Sequence, residues 1–284
     1  MQSASPLRYP GGKASLTSVL RGVLEANNFG NRLFVEPFAG GAGASLSLLF
    51  QEAVPRIHLN DLDAGIFAFW WSALNRSEQF ATMVRRTPAT LSQWRRHRAN
   101  FQRKRQCRLG LGFSTFFLNR CNHSGIIATG GPIGGTRQSG MWKVDARYNQ
   151  AALVQRLERI AMFRDRISLS RLDACALIRT KLNQDAFLFI DPPYYHKGQE
   201  LYLNALDQQY HARLANVLQE SDSKAWVLTY DDCPEVHQLY SGWARVQRYS
   251  LRYSAAVRRQ ASELFITPKA LKVPRCQTSG AVLW

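Results

Sequence analysis

Five short apolar runs, separated by stretches of helical periodicity, constrain this chain more than any other feature: Leu33 to Glu36, Arg56 to Asn60, Arg166 to Leu169, Ala186 to Ile190 and Ala225 to Thr229. Strand-like runs that alternate with helices predict a parallel sheet, because parallel neighbours need a long crossover and a helix supplies it. The expected class is therefore α/β, with helices on both faces of the sheet. At 284 residues and 45% hydrophobic content the chain can bury one large core plus an inserted subdomain. Between the second and third runs lies such an insertion, helical at Ser92 to Gln106 and at Phe113 to Leu118, then glycine-rich from Gly125 to Gly140. The reading is a sheet domain formed by residues 1–75 and 146–284, interrupted by a subdomain at 76–145. After the fifth run, Trp243 to Tyr253 and Glu263 to Thr267 alternate as two antiparallel strands with Val257, Arg258 and Arg259 in the turn, and beyond Pro268 periodicity is lost.

Charge is concentrated in the insertion. The chain carries a formal +17, with a pI of about 10.2, which favours polyanionic partners. From Gln79 to Val144 there is no Asp or Glu, whereas Arg85, Arg86, Arg95, Arg96, Arg98, Arg103, Lys104, Arg105, Arg108, Arg120, Arg137 and Lys143 all lie inside. A solvated helical face normally mixes both signs. This one-signed stretch, ending in the flexible-looking Gly-Gly-Pro-Ile-Gly-Gly, reads as a lobe that grips nucleic acid, with Arg95, Arg96, Arg98, Arg103, Lys104, Arg105, Arg120 and Arg137 as candidate contacts. The five cysteines are odd in number and widely spaced, with no Cys-x-x-Cys pair, so no metal site is expected. Met1 to Lys13 has no apolar signal region and no stretch approaches bilayer length. A cytoplasmic enzyme that meets nucleic acid there is the expectation, and nothing calls for an obligatory protein partner or a membrane.

Three motifs carry chemistry. Asp191-Pro192-Pro193-Tyr194 follows the fourth run, so a buried strand delivers a carboxylate, a rigid turn and an aromatic ring to one point. The prolines fix φ and lack N–H groups, which leaves neighbouring carbonyls open as acceptors. A planar amine can then donate to Asp191 and to the Pro192 carbonyl while its ring stacks on Tyr194. Glu36-Pro37-Phe38-Ala39-Gly40-Gly41 opens from the first run into a helix at Ala44 to Phe50, and its glycines let a nucleotide-like cofactor approach the backbone. Asp61 ends the next run, where a carboxylate takes ribose hydroxyls. At the N-terminus, Tyr9-Pro10-Gly11-Gly12-Lys13 precedes an amphipathic helix and can fold over the same pocket with Lys13 facing a carboxylate.

In this order, Tyr-Pro-Gly-Gly-Lys, Glu-Pro-Phe-x-Gly-Gly, Asn-Asp-Leu-Asp, an insertion and Asp-Pro-Pro-Tyr, the chain resembles the adenine-specific DNA methyltransferases of the Dam type, the D12 class. The resemblance runs from about Leu7 to Pro268 and includes Phe117-Leu118-Asn119-Arg120 and Leu172-Asp173-Ala174. It implies a Rossmann-like methyltransferase sheet with a target-recognition insertion, S-adenosyl-L-methionine as cofactor and double-stranded DNA as partner. It places Tyr9, Lys13, Glu36, Pro37, Phe38, Gly40, Gly41, Asp61, Asp173 and Asp191 about the cofactor. It gives Asp191, Pro192, Pro193 and Tyr194 to a flipped adenine, and adds Asn119 to the DNA contacts. Residues Asn122 to Trp142 align with no member of known target site. Competing readings keep the methyl donor but change the acceptor to structured RNA or a protein side-chain amide. Others make the chain a binding module that has lost turnover, or an NAD-dependent oxidoreductase, in which the proline turn and the acid-free lobe would have no role.

Overall fold

The computed structural model describes residues 4–8, 13–103, 107–196, 206–221, 223–251, 261–274 and 281–283. They divide into two compact units, one formed by Met1–Gly12 with Asp61–Arg171, the other by Lys13–Asn60 with Leu172–Trp284.

The second unit holds seven strands: β1 (Leu33–Glu36), β2 (Ile57–Asn60), β4 (Ala186–Ile190), β5 (Trp226–Asp231), β6 (Ala244–Leu251), β7 (Ala261–Pro268) and β8 (Ala281–Leu283). Their order is β2-β1-β4-β5-β7-β6-β8. β1 pairs in parallel with β2 and β4, and β4 with β5, while β5-β7, β6-β7 and β6-β8 are antiparallel. Every residue of Ala-Phe-Leu-Phe-Ile in β4 is buried, as a central parallel strand covered on both faces requires. Helices flank the sheet: α1 (Thr17–Ala26), α2 (Gly43–Phe50), α8 (Ala174–Leu182), α9 (Gln208–Gln219) and α10 (Pro234–Tyr240). α1 buries Val19, Leu20, Val23 and Leu24, one face at helical spacing. Asp173 and Asp207 cap α8 and α9 by accepting from the Ala176 and Tyr210 N–H groups at 3.1 and 2.7 Å. The tail does not simply lose structure after Pro268, since β8 pairs with β6 through Tyr249↔Leu283, Ser250↔Val282 and Leu251↔Ala281. The turn read at Val257, Arg258 and Arg259 lies outside the described residues.

This topology fixes where a ligand can sit. β1 is followed through α2 by β2 on one side, and β4 lies on its other side, so the winding direction reverses between β1 and β4. In such sheets the crevice at the carboxyl ends of these two strands is the binding site. The loops that leave those ends begin at Pro37 and at Asp191.

The first unit contains β3 (Ile167–Ser170), α3 (Ala64–Asn75), α4 (Ser77–Arg86), α5 (Leu91–Gln102), α6 (Arg108–Cys121) and α7 (Gln150–Met162). Its core is aromatic: Phe69, Trp70, Phe80, Phe113, Phe116 and Phe117 are buried, and Phe69 stacks on Phe116 at 5.8 Å. α6 approaches α3 closely because Gly112 lacks a side chain, since a Cβ there would lie 2.5 Å from the Ala68 carbonyl oxygen. The glycine-rich segment is a built turn rather than a loose tether. Ile133 is buried and its N–H donates to the Cys121 carbonyl at 2.8 Å, the His123 N–H donates to Gly131 at 3.0 Å, and the Gln138 carboxamide donates to the Ile133 and Gly135 carbonyls at 2.7 Å. Gly134 turns at φ +83, where a Cβ would meet the Trp142 carbonyl at 2.5 Å. No helix among the described residues is long and apolar enough to cross a membrane.

Candidate active site

Asp191 leaves β4 beside a buried cluster of charge. Lys13 Nζ lies 3.1 Å from Asp191 Oδ1 and 3.2 Å from Glu263 Oε2. Lys13 and Glu263 are 4% and 3% exposed, whereas 26% of the Asp191 side chain remains accessible, so an incoming group can reach it. Thr229 of β5 donates to Asp191 Oδ1 at 2.6 Å. Among the described residues both partners of Asp191 use Oδ1, which leaves Oδ2 for a further donor. Burial raises the Asp191 carboxyl above its ordinary range, the Lys13 charge and the Thr229 hydrogen bond pull it down, and the Glu263 charge pushes it up.

Tyr194 is held by the same cluster. Its hydroxyl donates to Glu263 Oε1 at 2.6 Å, and Lys13 Nζ lies 5.4 Å from its ring centroid, within cation–π range. Tyr249 of β6 donates to the other oxygen of Glu263. The next residue anchors the turn from behind, as the Tyr195 N–H donates to Asp231 Oδ1 at 2.9 Å. Of the residues read from sequence, Lys13, Asp191 and Tyr194 meet here. Glu263, Tyr249 and Thr229 were missed, and the available signal was an acid opening the otherwise apolar run Glu263-Leu264-Phe265-Ile266.

The loop after β1 forms the adjacent wall. Gly40 turns at φ +44 and Ala42 at φ +48, a left-handed pair that bends the backbone tightly into α2. Glu36 is buried, its Oε2 has no hydrogen-bond partner among the described residues, and burial together with the nearby Asp191 charge raises its carboxyl to about 8. Asn60, fully buried at the end of β2, ties the loops together: its carbonyl accepts from the Ala39 N–H at 2.8 Å, its amide donates to the Pro37 and Leu172 carbonyls at 2.9 and 3.0 Å, and its Oδ1 accepts from the Leu172 N–H at 2.9 Å. Asp173 then follows in sequence, with Oδ2 accepting from the Tyr210 hydroxyl at 2.8 Å and from Arg213 at 2.9 Å. A tight left-handed backbone turn at Gly40 and Ala42 and an orphaned buried carboxyl oxygen on Glu36 fit a nucleotide-like cofactor carrying polar groups.

In the first unit, Asp61 holds its own loop, with Oδ1 accepting from the Asp63 N–H at 2.9 Å. Arg95, Arg96, Arg103 and Arg137 are exposed. Asn119 is fully buried and its amide is bonded to the backbone. Oδ1 accepts from the Arg8 N–H at 2.7 Å, and Nδ2 donates to the Arg8 and Gly125 carbonyls at 2.7 and 2.9 Å. It anchors the chain that leads into Tyr9. Arg120 also turns inward, donating to the Arg147 carbonyl at 2.7 Å, and burial followed by the neighbouring Arg8 and Arg156 charges lowers it to about 10. Arg98 pins the glycine-rich turn through the Ile127 carbonyl at 2.9 Å. Tyr9, Lys104, Arg105 and residues 197–205 lie outside the described residues.

A Rossmann-like sheet with a glycine turn after β1 and Asp-Pro-Pro-Tyr after β4 at its switch point defines a methyltransferase of the α/β type. The chain matches the D12 class N6 adenine-specific DNA methyltransferase family over residues 9–255 and belongs to it. Membership makes the enzyme an N6-adenine methyltransferase and implies S-adenosyl-L-methionine as methyl donor. Two solved structures of the rRNA methyltransferase AviRa from Streptomyces viridochromogenes are similar at 11% and 12% identity, each covering 92% of this chain and 86% of its own, with TM-scores of 0.36 and 0.37. No curated protein matches this chain in sequence.

Proposed function

We propose that this enzyme methylates the exocyclic N6 amine of an adenine swung out of duplex DNA, at a specific sequence. The observation that carries the reading is the Asp191 carboxylate, held on Oδ1 and accessible on its other side, at the end of β4 next to the loop after β1. An adenine amine is a poor nucleophile because its lone pair is delocalised into the ring. Asp191 Oδ2 accepts one amine hydrogen and the Pro192 carbonyl the other, which favours a pyramidal nitrogen and stabilises the positive charge that develops on attack. Tyr194 stacks on the base and so recovers part of the few kcal/mol spent on flipping, at about 1–3 kcal/mol per stacked base. Lys13 and Thr229 keep the carboxylate in one orientation, and that orientation is itself a large part of the rate.

S-adenosyl-L-methionine, when bound, supplies an electrophilic methyl group on a sulfonium. The residues proposed to hold it are Lys13, Tyr9 and the Glu36 to Gly41 loop, with Asp61 on the ribose and Asp173 on the adenine. Asp173 accepts three hydrogen bonds already, and a carboxylate has a fourth acceptor position to offer. The 76–145 segment is proposed as the target-recognition region, with Arg95, Arg96, Arg103 and Arg137 on phosphates, since exposed arginines without intervening acids favour a polyanion. The test is transfer of labelled methyl groups to duplex DNA and to ribosomal RNA side by side, with digestion to nucleosides. N6-methyladenine from DNA alone is expected; label confined to RNA would move the substrate to the other polymer.

A further inference from the structure

Glu263 is an expensive residue to bury. Its position on β7 is 69 residues from Tyr194, and the register sets it between Asp231 on β5 and Tyr249 on β6. Two carboxylates, Asp191 and Glu263, lie 3.1 and 3.2 Å from the Lys13 ammonium in a desolvated place. The cost of such an arrangement exceeds its pairwise attraction unless further donors satisfy it. Here two phenols do so, one on each oxygen: Tyr194 on Oε1 and Tyr249 on Oε2. Tyr249 belongs to the sheet and would satisfy a purely structural acid. Tyr194 belongs to the turn that meets substrate, and its link to Glu263 adds nothing that the sheet needs.

We propose that Glu263 is the positioning residue of the catalytic turn: it tethers the ring of Tyr194 by its hydroxyl and, through shared Lys13, fixes that ring relative to the carboxylate of Asp191. The base platform and the amine acceptor are thereby set by one side chain that need not touch substrate. Glutamine at 263 keeps the volume but is neutral and has one acceptor oxygen in place of two, so the charged acceptor that holds both phenols and pairs with Lys13 is lost. This inference rests on the adenine-methylation reading.

The test is a double-mutant cycle on the full chain with Tyr194→Phe, Glu263→Gln and both, alongside Tyr249→Phe, using whichever polymer the unmodified enzyme methylates. Each of the first two is expected to lower kcat about tenfold, as loss of a hydrogen bond to a charged group does, with KM for S-adenosyl-L-methionine within about threefold. The double variant should be no slower than the slower single, because both break one tether. Tyr249→Phe should cost less than about a third of the Tyr194→Phe loss. A second readout needs no activity: in ligand-free protein with 13C-labelled tyrosine, the Tyr194 ring resonance should move in Glu263→Gln. Losses that multiply in the double variant, a Tyr194 resonance that stays in place, or equal losses in the two tyrosine variants would overturn the tether. If Glu263→Gln does not fold, the two tyrosine variants decide alone. If the unmodified enzyme transfers no methyl to adenine, the functional reading fails instead, and the resonance still reports on the tether.

Discussion

Charged side chains are treated in opposite ways in the two units. Around Asp191 they are few, buried and partnered: Lys13 bridges Asp191 and Glu263, and hydroxyls from Thr229, Tyr194 and Tyr249 complete the set. In the first unit, from Gln79 to Val144, they are many and of one sign, with Arg95, Arg96, Arg103 and Arg137 open to solvent. Buried charges are weakly screened and geometrically fixed, so they suit the placing of reacting atoms. Exposed ones are screened within about 8–10 Å at ordinary ionic strength, so they suit long contact with a polyanion whose own charges repeat. The contrast predicts that catalysis and binding can be damaged separately.

Asp191→Ala should break the contrast most sharply on the catalytic side. Methyl transfer is expected to fall by at least about 10²–10³-fold while nucleic-acid affinity, measured by titration, stays within about threefold. Parallel loss of both would merge the two roles. Lys13→Met takes from Asp191 and Glu263 the ammonium they share, and removal of one partner from a buried pair costs about 3–5 kcal/mol. Denaturant unfolding should show that loss, whereas a change below about 1 kcal/mol would mean that the cluster tolerates its own charge.

On the binding side, replacing Arg95, Arg96, Arg103 and Arg137 with glutamine should flatten the plot of log affinity against log salt by about 0.9 for each phosphate left without its arginine. Turnover at saturating nucleic acid should be unchanged. Asn119→Ala sharpens the comparison, because its amide is spent on Arg8 and Gly125. Stability should drop by about 1–3 kcal/mol with the salt slope intact, and an altered slope would return Asn119 to the nucleic-acid surface.

A pH-dependent effect concerns Glu36, whose carboxyl rises from 4.5 to about 8 on folding, chiefly through burial. Between those values the folded chain keeps a proton that the unfolded chain has lost, so stability falls as pH rises through that window, by up to about 1.4 kcal/mol per unit. Glu36→Gln should remove this decline, and melting curves at pH 5 and pH 8 should then differ less than those of the unmodified chain.

Much of the fold was legible because it rests on local patterns. β1 and β4 coincide with the apolar runs read from sequence, β2, β3 and β5 begin one residue later, and the pairing of β6 with β7 follows from alternation. The Asp191 turn and the Gly40 loop were legible for a related reason, since each directly follows a strand that sequence can locate. What sequence could not place depends on long-range register or on which face a side chain takes. Glu263 reaches Tyr194 only because β7 is inserted next to β5. Asn119 sits in a basic stretch, yet it lies on the face of α6 that packs inward. The glycines from 130 to 135 looked like a tether, and their neighbours Ile133 and Gln138 make them a folded turn.

The central claim is that the Asp191 carboxylate holds an adenine amine for methylation. Its most direct measurement is nucleoside analysis of duplex DNA incubated with labelled S-adenosyl-L-methionine and either the unmodified chain or Asp191→Asn. The account predicts labelled N6-methyladenine from the first and none above background from the second. Label on cytosine, or equal N6-methyladenine from both, would contradict it.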